Sequence, residues 1–428
     1  MDLIALAIPF FLLALLIELA VDRWRGTGYY RSNDAISSLS AGTVSTTLGY
    51  FTKLLPVYLS GLVASRFAIF DIDPAWFDLT ATGLAWWLLV ILAWDFCYYW
   101  AHRFGHEVSV LWAAHAVHHQ SEDYNLSTAL RQTSTGFLFG WVFYLPLFIL
   151  GFPVEVIATA NAIDLIYQFW VHTRHIDRLG WMDYVFVTPS NHRVHHAQNE
   201  RYIDKNYGGI LILWDRLFGT FQDELAEEPV TFGVRKPLAS WNPFWANLQV
   251  YDYLWFDARR TRRWRDKLGI WFRRTGWRPD DVAEAYPAPG RSLDGFKRYD
   301  PPVPVGLKRY VLAQFLLCAI GVLWIGGVFA TDGAMAVLLP CGFLWLTLYG
   351  LGTLNERGVN AIGLERARLW VGTPLFALGM IYLDPARVDT TLLVGVTGGY
   401  ILASAVALGV AGRPLVDGGE ESVEIEAR

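Results

Sequence analysis

Cysteine is scarce in this chain of 428 residues, which contains only Cys97, Cys318 and Cys341. The three lie far apart, inside or beside apolar segments, and no CxxC pair occurs. The sequence therefore gives no basis for a disulfide framework, a cysteine-ligated zinc site or an iron–sulfur cluster. Walker motifs, coenzyme fingerprints and low-complexity tracts are also missing, so the common sequence signatures of nucleotide binding are not present.

Charge is sparse as well, with Asp, Glu, Lys and Arg making up 18% of the chain and a formal net charge of −5. The net charge says little about partners, because it combines a basic central segment with an acidic tail, GGEESVEIEAR. We expect no nucleic-acid partner. The first apolar run, residues 3–20, has no basic region before it and no A-x-A-like cleavage site after it. We therefore interpret this run as a retained helix and not as a signal peptide.

Apolar residues make up 54% of the chain, which contains 20 Trp, 20 Tyr and 26 Phe, and the mean hydropathy is +0.28. Several apolar runs reach the roughly 20 residues that a helix needs to cross a bilayer. The sequence predicts an all-α, polytopic integral membrane protein with about nine membrane helices. The predicted spans are residues 3–20, 37–64, 80–100, 135–151, 153–171, 307–330, 335–351, 367–383 and 390–411.

The spans predict three regions, which are N-terminal membrane helices at 1–78, a catalytic region at 79–306 and a C-terminal four-helix region at 307–428. The short pair 135–151 and 153–171 predicts a hairpin, so the chain leaves and returns on one side of the membrane. Basic loop residues concentrate on that side, which predicts that it faces the cytoplasm from an inner membrane. For the C-terminal helices a scaffold, a wall for lipid access and a homodimer surface are all open.

All ten histidines lie between residues 102 and 196, in the groups HRFGH, HAVHH, HTRH and HRVHH. Because positions i, i+3 and i+4 share one helix face, the imidazoles of HRFGH, of HAVHH and of HRVHH each project together. The groups comprise His102 and His106; His115, His118 and His119; His172 and His175; and His192, His195 and His196. Clustered imidazoles are typical ligands of first-row metals, and these are too many for one ion. The pattern predicts two ions at a histidine-rich site, and the ligand chemistry alone allows Fe, Zn or Mn.

Asp95 lies seven positions before His102, on the same face of an otherwise apolar helix. A carboxylate inside a membrane is costly and is therefore a candidate for function. We expect it to accept an imidazole N–H and so fix the tautomer of that ring. A structural hydrogen bond to a Tyr or Trp is the alternative. Glu107, Asp123 and Asn125 are weaker candidates for the same role.

Four stretches resemble the fatty acid hydroxylase/sterol desaturase superfamily of membrane di-iron enzymes. They are DFCYYWAHRFGHE, HAVHHQSEDYNLSTALRQ, YQFWVHTRHI and TPSNHRVHHAQNERYIDKNYGGILILWDRLFGTF, within residues 90–222. The histidine groups are typical of the superfamily, whereas SEDYNLSTALRQ and YIDKNYGG resemble its alkylglycerol monooxygenase-like branch. The resemblance implies two Fe ions held by His102, His106, His115, His118, His119, His172, His192, His195 and His196.

The resemblance also implies an activity, the O₂-dependent hydroxylation of a lipid C–H bond. In the alkylglycerol monooxygenase-like branch the carbon lies next to an ether oxygen, and the product collapses to an aldehyde and a glycerol derivative. The electrons come from an external donor, which is tetrahydrobiopterin in that branch. The sequence departs from the branch at Arg174, where an acid is usual, and at Asn191, where a histidine is usual. His175 is additional, and its role as a ligand stays open.

Two other functions compete with this one. The first is a sterol, carotenoid or fatty acyl hydroxylase or desaturase, which would use the same metal chemistry. The second is a membrane metal transporter or sensor. Transport favours ligands at the middle of the membrane along a path. The histidines here follow the predicted helix ends on one side, which favours an enzyme.

Overall fold

The computed structural model describes residues 3–288, 292–358, 360–383 and 388–417. The acidic tail at 418–428 lies outside the described residues. Within those ranges the chain is helical, with three isolated bridges and no β-strand. The predicted all-α class is confirmed.

The α-helices divide into a first set up to residue 195 and a second set beyond it. The first set is α1 Leu3–Arg25, α2 Ser32–Thr52, α3 Leu54–Phe67, α4 Ala81–Glu107, α5 Ser109–His119, α6 Leu126–Ala129, α7 Leu145–Leu150, α8 Val154–Trp170, α9 Met182–Val185 and α10 Pro189–His195. The second set is α11 Leu213–Phe218, α12 Pro243–Arg260, α13 Trp264–Gly269, α14 Asp280–Ala285, α15 Val305–Asp332, α16 Leu338–Asn355, α17 Ala361–Ala367, α18 Thr373–Leu383 and α19 Thr390–Asp417.

Four helical stretches in the described part of the chain are long and apolar enough to cross a membrane. They are Ala81–Glu107, Val305–Asp332, Ala334–Asn355 and Thr390–Ala411. Two shorter apolar stretches are Leu54–Phe67 and Gly140–Leu150. The structure thus has the apolar helices of a membrane protein, and the number nine stays a prediction.

The predicted span 37–64 is divided into α2 and α3 at Lys53. Helix α2 is rich in serine and threonine, and it buries these polar side chains against the protein. At Gly42 a Cβ atom would lie 2.1 Å from the carbonyl oxygen of Leu130, so α2 packs directly on the backbone that follows α6. This close approach places Arg131 beside the histidines of α5.

The predicted hairpin has its turn at Gly151, whose φ of 93° favours glycine. A Cβ atom there would also lie 1.9 Å from the carbonyl oxygen of Phe70. The second arm is the regular helix α8, which begins after Pro153. The first arm differs from the prediction, because it consists of the 3₁₀ turns Gly136–Leu138 and Gly140–Tyr144 followed by α7.

The chain forms two compact units, residues 1–239 with 245–298 and residues 240–244 with 299–428. All the histidines lie in the first unit. The second unit contains α15 to α19 and a buried polar network, in which Arg368 donates to Glu365 at 2.6 Å and to Gln314 at 3.2 Å. The three-region division drawn from the sequence stays a prediction.

Candidate metal centre

Nine of the ten histidines converge in the first unit, where they form two groups. The five-histidine group contains His102, His106, His115, His119 and His195. The four-histidine group contains His118, His172, His192 and His196. Within each group, one nitrogen from every ring lies within 4.8 Å of all the others. Helices α4, α5 and α10 and the end of α8 thus bring together side chains from three separate parts of the sequence.

The nitrogens that face each other are spaced like ligands of one ion. In the five-histidine group, Nε2 of His115 lies 3.1 Å from Nε2 of His102 and 3.1 Å from Nε2 of His119. In the four-histidine group, Nε2 of His192 lies 3.1 Å from Nε2 of His172. Two imidazole nitrogens bound at right angles, each at ~2.1 Å from a metal, would lie about 3 Å apart. The spacing therefore fits a first-row metal ion in each group.

The outer ring nitrogens of four histidines are held by backbone carbonyls. Nδ1 donates from His102 to Tyr207 O at 2.8 Å, from His118 to Arg131 O at 3.0 Å, from His172 to Gln168 O at 2.8 Å and from His195 to Lys205 O at 3.0 Å. A carbonyl only accepts, so the proton of each neutral ring lies on Nδ1. The lone pair on Nε2 is then free to bind a metal.

Burial keeps these rings neutral. It lowers the pKa of His115, His119 and His196 well below the usual 6.5, and it lowers the pKa of His118 to about 4. Metal ligation requires the neutral form of histidine. Among the described residues, the buried Nε2 atoms of His106 and His195 have no hydrogen-bond partner. Neutral donors and unpartnered nitrogens together fit a site for cations.

The structure corrects the predicted contact of Asp95 with an imidazole. Its fully buried carboxylate accepts instead from the backbone N–H of Ile210 at 2.7 Å, the N–H of Leu211 at 3.0 Å and Nε1 of Trp214 at 2.8 Å. The hydrogen bond from Trp214 is the alternative considered above, a structural hydrogen bond between Asp95 and a Tyr or Trp. The reason for the difference is that residues 206–211 lie between Asp95 and the histidines.

Residues 206–211 contact both Asp95 and His102. Tyr207 supplies the carbonyl that accepts from His102, and Asp215 accepts from the N–H of Tyr207 and of Gly208, each at 2.8 Å. At Gly209 a Cβ atom would lie 2.7 Å from Oδ1 of Asp164 and 3.0 Å from Oδ1 of Asp95, so a larger residue would force these side chains to shift. Two carboxylates thus fix the backbone that orients His102, which explains the NYGG sequence.

Two of the weaker candidates bind cationic side chains and no imidazole. Glu107 pairs with Arg103 at 3.0 Å on a half-exposed surface. Asp123 is buried and pairs with Arg31 at 2.9 Å and with Arg298 at 2.7 Å. These ion pairs hold both carboxylates on arginines, and a role for either residue in supporting the centre stays a prediction.

The remaining uncertain residues, Asn125 and His175, also lie outside the two groups. Asn125 caps α6 by accepting from the N–H of Ser127 at 3.0 Å. The Nε2 atom of His175 lies 4.0 Å from Asp22, and its ring lies 5.0 Å from the ring of Tyr29. Helix α8 ends at Trp170, so His175 lies in the irregular segment that follows it.

Sequence reasoning missed Arg131 and Tyr124. Arg131 is fully buried and donates to Val117 O at 2.7 Å, next to His118. Tyr124 stacks on the ring of His172 at 5.6 Å and donates to Val171 O at 3.0 Å. Both residues lie in SEDYNLSTALRQ, the stretch that resembles the alkylglycerol monooxygenase-like branch. That resemblance indicated that the stretch is important, but it did not indicate what Arg131 and Tyr124 contact.

Comparison with known proteins agrees with this geometry. The fatty acid hydroxylase family model matches residues 87–220. Alkylglycerol monooxygenase from Xenopus tropicalis is 36% identical over 375 residues, which cover 86% of this chain and 80% of that protein. The human alkylglycerol monooxygenase is 34% identical over 391 residues, which cover 88% and 83%. The chain belongs to the fatty acid hydroxylase/sterol desaturase superfamily, in its alkylglycerol monooxygenase branch.

More distant members of the fatty acid hydroxylase superfamily match a shorter part. An ornithine lipid hydroxylase from Rhizobium tropici is 31% identical over 153 residues, which cover 34% of this chain and 44% of that protein. No solved structure matches the chain. The superfamily segment at 87–220 includes both histidine groups.

Proposed function

We propose that this chain is a membrane-bound di-iron monooxygenase that hydroxylates a lipid C–H bond. The observation that carries the proposal is the convergence of nine neutral imidazoles in a group of five and a group of four. Membership of a lipid-hydroxylating superfamily and the apolar helices support a lipid-hydroxylating oxidoreductase. The nine histidines would hold two iron ions, one in each group.

When bound, the iron would supply O₂ activation and the oxidising power that an unactivated C–H bond requires. The chain's own residues prepare that chemistry. The carbonyls of Tyr207, Arg131, Gln168 and Lys205 hold the imidazoles in the metal-binding tautomer. Burial of both groups excludes water. We assign Asp95 the role of a positioning residue, which acts through residues 206–211.

Ether lipids are the substrates that we favour, because relatives of closely similar length are named alkylglycerol monooxygenases. Hydroxylation next to the ether oxygen gives a hemiacetal, which separates into an aldehyde and a glycerol derivative. Sterol, carotenoid or fatty acyl hydroxylation or desaturation is the alternative, and the similarity to an ornithine lipid hydroxylase supports testing acyl products. A metal transporter or sensor is the remaining alternative.

The electrons would come from an external donor, tetrahydrobiopterin or another reductant. We further propose that the histidine groups face the cytoplasm, from the basic loops on that side. Glu107, Asp123 and Asn125 stay candidates for supporting the centre through their loops, and we propose no nucleic-acid partner. A homodimer through the C-terminal helices remains a proposal for cross-linking experiments.

Isotope labelling tests the function directly. Membranes containing the protein are incubated with tetrahydrobiopterin, an alkylglycerol and ¹⁸O₂, and the lipids are then extracted. We expect label in an aldehyde or in its oxidation product, whereas label in a hydroxylated acyl chain or sterol would support the alternative. Absence of labelled lipid from a protein that retains iron would contradict the proposed function.

Metal content tests the site. The purified protein should hold two iron ions per chain and consume O₂ on addition of lipid and reductant. His119→Ala and His172→Ala, one from each group, should each lower the iron content and abolish O₂ uptake. His175→Ala is the matched control, because His175 lies outside both groups, and it should keep both ions. A transporter would release its metal during purification and would not consume O₂.

A further inference from the structure

A groove of ≈ 760 Å³ opens beside the four-histidine group, between the ends of α1 and α8 and the segment 224–232. Its walls are aromatic and aliphatic, and its rim is charged. The wall residues that matter here are Tyr29 and Phe232, and the rim includes Arg174, Arg193 and Glu224. Small-molecule sites commonly combine this volume with apolar walls and a few fixed polar groups.

Arg174 is one of the charged residues that line this groove. Arg193 is paired with Glu224 at 2.8 Å. In the described ranges, no carboxylate lies within ion-pair distance of Arg174, whose guanidinium lies 4.0 Å over the ring of Tyr29 and 5.6 Å from that of Phe232. A half-buried cation over aromatic faces favours an anionic or electron-rich planar ligand.

The inner wall of the groove touches the ligand shell of the metal centre through two stacked rings. Phe232 stacks on Tyr124 with ring centroids 4.7 Å apart and planes inclined by 7°. Tyr124, which is 1% exposed, stacks in turn on the metal-ligand candidate His172 at 5.6 Å. An aromatic contact therefore runs without a break from the groove to an imidazole.

The positions of Phe232 and Tyr124 indicate which kind of ligand the groove can bind. A lipid carbon that is to be hydroxylated must approach the metal itself, whereas this groove reaches His172 through the stacked rings of Phe232 and Tyr124. Electrons need no such direct approach, because they can pass through stacked rings. The groove therefore suits an electron donor better than the reacting part of the lipid.

We propose that this groove binds the external electron donor, a small planar heterocycle in its reduced form, and that Phe232 and Tyr124 connect it to His172. The proposal rests on the proposed function. In each turnover the donor loses two electrons and two protons. One oxygen atom of O₂ enters the lipid C–H bond, and the other leaves as water with the two protons. Arg174 would stack on the face of the heterocycle, or it would donate hydrogen bonds to electron-rich atoms at the edge of the heterocycle.

Equilibrium binding tests the site without catalysis. Tetrahydrobiopterin is titrated anaerobically into the metal-free full-length protein, and tryptophan fluorescence reports binding. Arg174→Gln should raise the Kd at least tenfold. Arg201→Gln is the control, because Arg201 is an exposed arginine paired with Glu228 at 3.6 Å, and it should change the Kd less than twofold. An unchanged Kd in Arg174→Gln would overturn the proposal.

Anaerobic reduction tests the connection. In the iron-loaded, oxidised protein, Tyr124→Leu should slow reduction of the iron by tetrahydrobiopterin at least tenfold while leaving the Kd within threefold. Tyr124→Phe keeps the stacked ring and loses only the hydrogen bond to Val171. The iron in this variant should therefore be reduced at a rate close to that in the native protein. Equal rates in the leucine and phenylalanine variants would overturn the role of the ring.

Steady-state kinetics separate the donor from the lipid. Arg174→Gln should raise the KM for tetrahydrobiopterin and leave the KM for alkylglycerol within twofold. The reverse result would make the groove a lipid headgroup site and overturn the proposal. If the native protein oxidises no lipid but binds the pterin with the predicted dependence on Arg174, the proposed function fails and the binding site stands.

Discussion

Replacing Asp95 with asparagine tests how the metal centre is held. One oxygen of Asp95 accepts from the N–H of Ile210, and the other accepts from Leu211 and Trp214. If the asparagine oxygen takes the second position, its NH₂ group faces the N–H of Ile210 and leaves that buried donor unsatisfied. Such a loss costs about 1–3 kcal/mol. We expect a lower thermal midpoint of the detergent-solubilised protein.

The same variant should weaken iron binding, although Asp95 touches no histidine. Its hydrogen bonds fix residues 206–211, and the Tyr207 carbonyl in that segment accepts from Nδ1 of His102. Loss of groups that orient a metal ligand typically costs about 10–100-fold in metal affinity. Competition with a calibrated chelator measures this affinity, and lipid oxidation should fall in parallel.

Glu228→Gln is the matched control, because it makes the same change in a carboxylate that pairs with Arg201 on the surface. It should alter stability by less than about 0.5 kcal/mol and leave iron affinity unchanged. If Asp95→Asn lowers the thermal midpoint but keeps the native iron affinity, Asp95 only stabilises the fold. That result would refute the argument that residues 206–211 transmit its effect to His102.

Three further predictions concern the surroundings of the histidines. Gly209→Ala should destabilise the protein by ~1–3 kcal/mol, because its Cβ would lie 2.8 Å from Tyr98, whereas Gly61→Ala, with open space around it, should be tolerated in thermal unfolding. Arg131→Met should lower both the thermal midpoint and the iron content, since it removes the buried guanidinium that donates to the Val117 carbonyl, to Ser37 and to Gln120. The metal-free protein should lose stability as the pH falls from 6.5 towards 4, at up to about 1.4 kcal/mol per pH unit for each such histidine. The reason is that the unfolded chain takes up protons in this pH range, while burial holds the folded pKa of His118 near 4. Thermal unfolding measured across this pH range should show the loss of stability. Loading the protein with iron should make that loss smaller.

The nine histidines that the structure brings together are those named from the sequence, because imidazoles at i, i+3 and i+4 project from one helix face. Their role as metal ligands stays a prediction. The sequence predicted two ions from the number of ligands, but not the sharing of α5 between the two groups. His115 and His119 join the five-histidine group while His118 joins the other. The residues from α10 divide in the same way. That division depends on the relative placement of four helices, which no local spacing specifies.

The supporting contacts were harder to predict for a physical reason. A carboxylate near a histidine in sequence suggests a direct bond, but a buried carboxylate takes whichever donors the fold supplies. For Asp95 these donors are N–H groups more than a hundred residues away, and the carbonyls that hold the imidazoles have no sequence signature at all. The division of the predicted span 37–64 into α2 and α3 was also not predictable from local sequence. It depends on the fold, because the serines of α2 are buried against other parts of the protein.

Glu18 on α1 has a consequence for how the protein is made. Its carboxylate accepts from the N–H of Leu126 at 2.8 Å and from the hydroxyl of Thr173 at 2.5 Å, and also from Tyr30. The ribosome completes α1 long before Leu126 and Thr173 emerge. When Tyr30 has been synthesised, Leu126 and Thr173 have not, so the Glu18 carboxylate cannot complete these three hydrogen bonds until most of the first unit has been made.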